Sequence, residues 1–102
     1  ERDAPVTHLA RFLAEGPARF FGLWPRKGAL QPGADADITV IDPTPTRFDA
    51  SATHDGLNWS PYDGMTFPSR VTATYVRGEQ VFAEGEVTSA QGHGTFVPRP
   101  GA

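Results

Sequence analysis

The amino-acid sequence predicts a mainly β fold with an N-terminal helical segment. Three observations carry this prediction. Apolar side chains in the first 23 residues recur at spacings of three and four, and residues 70–87 alternate in the manner of a hairpin. Glycine (11) and proline (10) are together about twice as frequent as the roughly 12% of average proteins, which argues against a helical bundle or coiled coil.

The helical segment spans 1–23, with Val6, Leu9, Ala10, Phe12 and Leu13 on one face. Thr7 is the expected N-cap and Gly16 the expected C′ residue. Pro17 then starts a second short helix that Gly22 closes, anchored by Phe20, Phe21 and Leu23. A helix this short is marginal alone, so Phe20 and Phe21 are expected to be buried. From Trp24 onward Pro25, Gly28, Pro32 and Gly33 break any helix. The β-branched run Ile38-Thr39-Val40-Ile41, flanked by Asp37 and Asp42, reads as a short buried strand that Pro43 and Pro45 stop. Residues 44–69 show no sustained period and predict a long ordered loop carrying Trp59, Tyr62 and Phe67 as packing aromatics. In the segment 70–87, Val71, Ala73 and Tyr75 alternate with Thr72, Thr74 and Val76. Gly78 turns the chain into Gln80-Val81-Phe82-Ala83, and Glu84-Gly85 turns it again into Glu86-Val87-Thr88. Residues 92–102 read as an extended tail, so the organisation is 1–23, 24–91 and 92–102.

Length and charge exclude several functions. The 102 residues make at most one domain, or part of one. With 9 basic and 12 acidic side chains the formal charge is −3, which leaves no basic footprint for nucleic acid or an anionic membrane. There is no cysteine, hence no disulfide and no thiolate metal site. No apolar stretch approaches the roughly 20 residues that span a bilayer, and Glu1-Arg2-Asp3-Ala4-Pro5 has no apolar signal core. The expectation is a soluble, cytoplasmic chain.

Residue by residue, no catalytic, cofactor-binding or metal site is predicted. His8, His54 and His93 lie at none of the spacings by which one helix or strand presents two imidazoles. Each is read as a surface or packing residue, with His93, between two glycines, the most exposed and the one to test for a role. Asp35 and Asp37 could share a cation, but the preferred reading places them at a strand entrance accepting turn amides. Arg26-Lys27 could meet a phosphate, without the glycine-rich turn and helix start that such a site uses. Ser51, Ser60, Ser69 and Ser89 lie in no nucleophile motif, and Gly92-x-Gly94 lacks the third glycine of a dinucleotide fingerprint. Trp24, Trp59 and Tyr62 could stack a ring but are read as core.

Three collinear segments resemble the cyclic-amide amidohydrolases, the family of dihydroorotase, allantoinase and dihydropyrimidinase (hydantoinase). Gly16-Pro17-Ala18-Arg19-Phe20-Phe21-Gly22-Leu23, running into Lys27-Gly28-Ala29-Leu30-Gln31-Pro32-Gly33-Ala34-Asp35-Ala36-Asp37-Ile38, is similar to the family's N-P-A-x-x-F-G-L … K-G-x-[IL]-x-x-G-x-D-A-D passage. Gly16 departs from it, because the family usually has asparagine there. Ser60-Pro61-Tyr62-Asp63-Gly64 resembles a [ST]-P-[YF]-x-G segment, and residues 71–85 resemble the hairpin near the end of these enzymes.

The resemblance implies that the chain is the C-terminal quarter or so of a longer enzyme. On that reading 1–23 ends a (β/α)8 barrel and 24–91 is part of a small β-sandwich accompanying it. The parent would use two divalent metal ions, zinc by expectation, to activate water for hydrolysis of a cyclic amide or ureide. Its ligands lie upstream of the matched region, so this piece binds no cofactor and is expected to be inactive alone. Its partners would be the barrel and the N-terminal sandwich strands of the parent, and a neighbouring subunit reached by the tail. The Ser60-Pro61-Tyr62 variant leans towards allantoinase and dihydroorotase, with hydantoinase the lesser alternative. The other class of function open to the chain is an independent β-rich binding or oligomerisation module.

Overall fold

A computed structural model of the chain describes residues 6–53 and 56–99. The fold is mainly β with one N-terminal helical segment. Helix α1, Thr7–Ala10, continues through one π-helical turn, Arg11–Glu15, into helix α2, Gly16–Phe20. Thr7 is therefore inside the helix and not its N-cap; the preceding Val6 is already right-handed and caps with no side chain. Gly16 likewise ends nothing. At φ −58° it is helical, and its amide donates to the Arg11 carbonyl across the wide turn. Pro17 explains the widening, since its ring cannot accept the ordinary close approach of the carbonyl four residues back. The same turn leaves no room on Gly16, where a Cβ would lie 2.8 Å from the Arg11 oxygen.

The helix closes as expected at Gly22. Gly22, left-handed at φ +78°, donates to the Arg19 carbonyl, and Leu23 donates to that of Ala18 at 2.8 Å. This is a Schellman closure. The expected burial of its anchors does not follow, because Phe20 is 81% exposed and Phe21 meets it edge-on with centroids 4.9 Å apart.

Four strands form an antiparallel sheet in the order β1-β4-β5-β6: β1 Ile38–Asp42, β4 Arg70–Val76, β5 Glu79–Ala83 and β6 Glu86–Val87. The hairpin of 70–87 stands as predicted. Arg77-Gly78 and Glu84-Gly85 each place both residues at positive φ, the type I′ geometry that matches strand twist. Strand β1 departs from its expected burial. Val40 and Ile41 are both over 40% exposed, because β1 pairs on one side only and no second layer covers its faces among the described residues.

The 44–69 loop holds more order than its lack of period suggests. Strands β2, Thr46–Arg47, and β3, Thr66–Phe67, pair antiparallel. A 3₁₀ turn over Ala50–Ala52 is capped by Asp49, whose carboxylate accepts the Ser51 amide, while Asp63 accepts the Ala50 amide at 2.9 Å. Phe48 packs edge to face on Phe67 and Tyr62 leans on Phe67 at a tilt, whereas Trp59 is 69% exposed and leaves this cluster.

Ala18 and Ala50 are the buried apolar residues among those described. The accessible surface is 7965 Å², against about 5,600 Å² for a folded monomer of this mass. The Cα radius of gyration is 15.5 Å, against about 13 Å for a compact domain of this length.

Ala18 is buried because the chain after Gly22 folds back on it. Gly28, at φ +83°, would place a Cβ 2.7 Å from Ala18 Cβ and 2.9 Å from the Ala14 oxygen, whereas one on Gly33, at φ +94°, would meet nothing within 4 Å. Gly28→Ala should therefore cost about 2–4 kcal/mol, from left-handed strain plus overpacking, and Gly33→Ala about 1–2 kcal/mol from strain alone. Amide exchange along residues 7–20 of the intact protein measures the difference, and equal effects at the two glycines would refute it.

Candidate functional site

The densest polar arrangement joins the chain after the helix to the sheet. The return loop brings Arg26 and Lys27 beside Asp35 and Asp37. Lys27 Nζ lies 2.6 Å from Asp37 Oδ2 and 3.0 Å from Asp35 Oδ2, and Arg26 Nε lies 2.9 Å from Asp35 Oδ2. The second oxygen of Asp37 accepts the Arg77 amide at 2.9 Å, and Gly78 donates to the Ala36 carbonyl. The preferred reading of the two aspartates holds: they sit at the entrance of β1 and one of them takes a turn amide. The amide comes from the distant hairpin turn, and the cations that accompany it are Arg26 and Lys27.

These pairings set the protonation of the group. The hydrogen bonds from Lys27 and Arg26, with their charges, hold the Asp35 carboxyl below the usual carboxylate range. At Asp37 partial burial pushes upward, but the Lys27 bond, the Arg77 amide and the Lys27 charge outweigh it and hold the carboxyl low. Lys27 is pushed above its ordinary value by its bond to Asp37 against the effect of burial, with Asp35 adding to the rise.

His93 is not the exposed residue expected from its neighbours. Its side chain is 19% exposed, Nε2 lies 2.9 Å from the Val76 carbonyl oxygen, and Nδ1 lies 3.4 Å from Glu79 Oε1. The two flanking glycines let the tail turn into the hairpin, so they bury the imidazole instead of displaying it. His8 packs edge-on against Phe12, and His54 lies outside the described residues. Ser51 donates to Asp49, Ser60 accepts the Tyr62 amide, and Ser69 and Ser89 are half-buried. Trp24 carries the Arg19 guanidinium 4.0 Å above its ring, which occupies the face a ligand would stack on.

Among the described residues no three or more His, Asp or Glu side chains come together as metal ligands would. The two divalent ions implied by the resemblance do not fit this set, since the Asp35–Asp37 pair already holds two side-chain cations. An open hollow of about 410 Å³ lies between Val76, Val81 and Val87 of the sheet and residues 89–94 of the tail, and His93 is the one ionisable side chain in its lining.

What remains is apolar surface. Leu13 (73% exposed), Phe12 and Leu9 share the helix face expected to be packed, and Leu57, Trp59 and Met65 project from the 44–69 loop. Arg77 is the residue that sequence reasoning passed over. Its signal was an arginine immediately before a hairpin glycine, a place that favours asparagine, aspartate or glycine.

The amidohydrolase family pattern matches residues 1–82. D-phenylhydantoinase of Escherichia coli O127:H6 is 42% identical over 84 residues, which cover 81% of this chain and 18% of that one. Among solved structures, the L-hydantoinase (dihydropyrimidinase) of Arthrobacter aurescens superposes with a TM-score of 0.87 at 41% identity, over 92% of this chain and 21% of that one. The D-hydantoinase of Bacillus sp. AR9 gives 0.85 at 26% identity, again over 92% and 21%. The chain thus spans about a fifth of the length of these relatives. That they are hydantoinases corrects the leaning towards allantoinase and dihydroorotase. The Ser60-Pro61-Tyr62 motif behind that leaning is a local turn, in which Ser60 accepts the amides of Tyr62 and Asp63.

The clamp has a defined pH window. Because both carboxyls are held low, their stabilisation is present above the ordinary carboxylate range and is lost as pH falls through the lowered values; that of Lys27 is lost as pH rises through its raised value. Asp37→Asn keeps an acceptor for the Arg77 amide and drops the charge. It should cost less than Asp37→Ala, which removes both and should cost about 1 kcal/mol at this partly exposed site. Exchange of the Arg77 and Gly78 amides in the intact variants tests the order, and a reversed ranking would refute it.

Proposed function

The chain belongs to the amidohydrolase family, and from that membership we propose that it is the C-terminal, structural part of a larger hydrolase that opens a hydantoin-type cyclic amide ring. The observation that carries this reading is the surface. An excess of roughly 2,300 Å² over a compact monomer is more than the 800 Å² or so that each partner gives to a standard interface. Large apolar side chains on the helix and the 44–69 loop are exposed, where a free-standing domain would not leave them. The partner of this reading is the rest of the larger protein. A barrel against the helix face would cover Leu9, Phe12 and Leu13, and further strands would pair with the free edge of β1. The metal ions and their ligands would belong to that partner, where they would acidify water and polarise the ring carbonyl. Hydantoin is preferred as the substrate type because the relatives at about 40% identity carry that name.

The alternative of an independent β-rich module predicts a chain that folds alone. Hydantoin, allantoin and dihydroorotate should be offered to the intact protein and to residues 1–102, with ring opening followed by loss of ring absorbance. The intact protein should prefer hydantoin and residues 1–102 should turn over none of the three. Turnover by the short chain would overturn the structural role, and preference for another ring would overturn the substrate class. A monomeric mass and a sharp cooperative melt for residues 1–102 would establish the module instead.

A further inference from the structure

The first residue of the β4–β5 turn sits in a conformation its side chain does not favour. Arg77 is left-handed at φ +50°, where asparagine or glycine is at ease and a long side chain is not. Its amide bond to Asp37 does not require arginine, since almost any residue supplies an amide. The guanidinium does. Nη2 donates to the His93 carbonyl at 2.7 Å and Nη1 to Thr95 Oγ1 at 3.3 Å, a fork across two positions of the tail. The residues flanking Arg77 and Gly78 in the same turn lie against the His93 ring: the Val76 carbonyl oxygen is 2.9 Å from Nε2 and the Glu79 carboxylate 3.4 Å from Nδ1.

The other end of this segment reaches the helix. The stem of Arg99 covers Gly22, where a Cβ would lie 2.7 Å from both Cγ and Cδ. Gly22 is the left-handed residue of the helix closure, so at Arg99 the tail lies over the turn that terminates α2. The helix itself makes little contact with the strands. We infer that residues 92–99 are a strap that ties the helix end to the hairpin, and that Arg77 is the residue positioning it. The strap sets the direction in which the helix presents Leu9, Phe12 and Leu13 relative to the sheet. It does so beside the Lys27–Asp37 clamp and independently of what the larger protein catalyses.

Glu84 serves as an internal control. It occupies the equivalent place in the β5–β6 turn at φ +47°, but its carboxylate pairs with Arg70 inside the hairpin, 3.0 Å away. Limited proteolysis of 92–99 and amide exchange by mass spectrometry on the intact protein should separate the roles. In Arg77→Asn the turn keeps a residue at ease in its conformation while the fork is lost. Chymotryptic cleavage after the exposed Phe96 should speed up about tenfold or more and exchange of the bonded amides of 20–24 should rise by less, with 71–83 unchanged or slower. Glu84→Asn should leave cleavage after Phe96 as it was. Arg99→Ala should raise exchange in 20–24, and Thr95→Val should speed the cleavage by a smaller factor than Arg77→Asn. The strap is refuted if cleavage after Phe96 in Arg77→Asn stays within about twofold of the parent, or if protection is lost across 71–83 as well. Unchanged exchange of 20–24 in Arg99→Ala would refute its reach to the helix.

Discussion

The order of this chain depends on Asp37. One oxygen of its carboxylate takes the Lys27 ammonium and the other takes the Arg77 amide, so three stretches far apart in sequence meet at one side chain. In most domains such a group would ornament a hydrophobic core. Here the buried apolar residues among those described are two alanines, and the clamp has a share of the holding that a core would otherwise have. It suits the task because a partly exposed carboxylate loses less solvation than a fully buried one, and its two donors outweigh what burial takes away. A fully buried one would need further partners to offset its desolvation.

Glycine geometry works with the clamp and explains why so many glycines are needed. Gly22 closes the helix and Gly28 returns the chain over Ala18, bringing Lys27 to the aspartates. The turn glycine Gly78 then places the Arg77 amide opposite Asp37. The high glycine content, which with proline argues against a helical bundle or coiled coil, is thus what lets a loop-rich chain hold a few definite contacts.

The hairpin was legible because its information is local: alternation of side chains and a turn glycine lie within one short window. The helix face was legible for the same reason, but not its fate, since periodicity says which residues share a side and nothing about what covers them. Gly16 was misread because a glycine before a proline resembles a helix stop, whereas a π turn accommodates both. The strand Ile38 to Asp42 was misread as buried because β-branched runs do not distinguish a central strand from an edge. At the candidate site, the Asp-x-Asp spacing suggested the correct local role and left open its partners, because Arg77 lies 40 residues away. His93 was misjudged by composition, since glycine neighbours permit burial as readily as exposure.

The exposed apolar side chains and the small core among the described residues have one physical origin on the proposed reading. A small β structure that must lean on a larger body needs apolar side chains pointing outward, at Leu9, Phe12, Leu13 and Trp59, and so has fewer with which to build a core of its own. Its internal cohesion must then come from interactions that survive in water: ion pairs, backbone ladders and left-handed turns. Those are the interactions seen, from the Lys27 clamp to the Arg77 fork. Polar contacts of this kind have a geometric advantage as well. They specify angles and distances, so the helix can be aimed at its partner before that partner adds the burial energy, and a loosely packed piece can still present a defined surface.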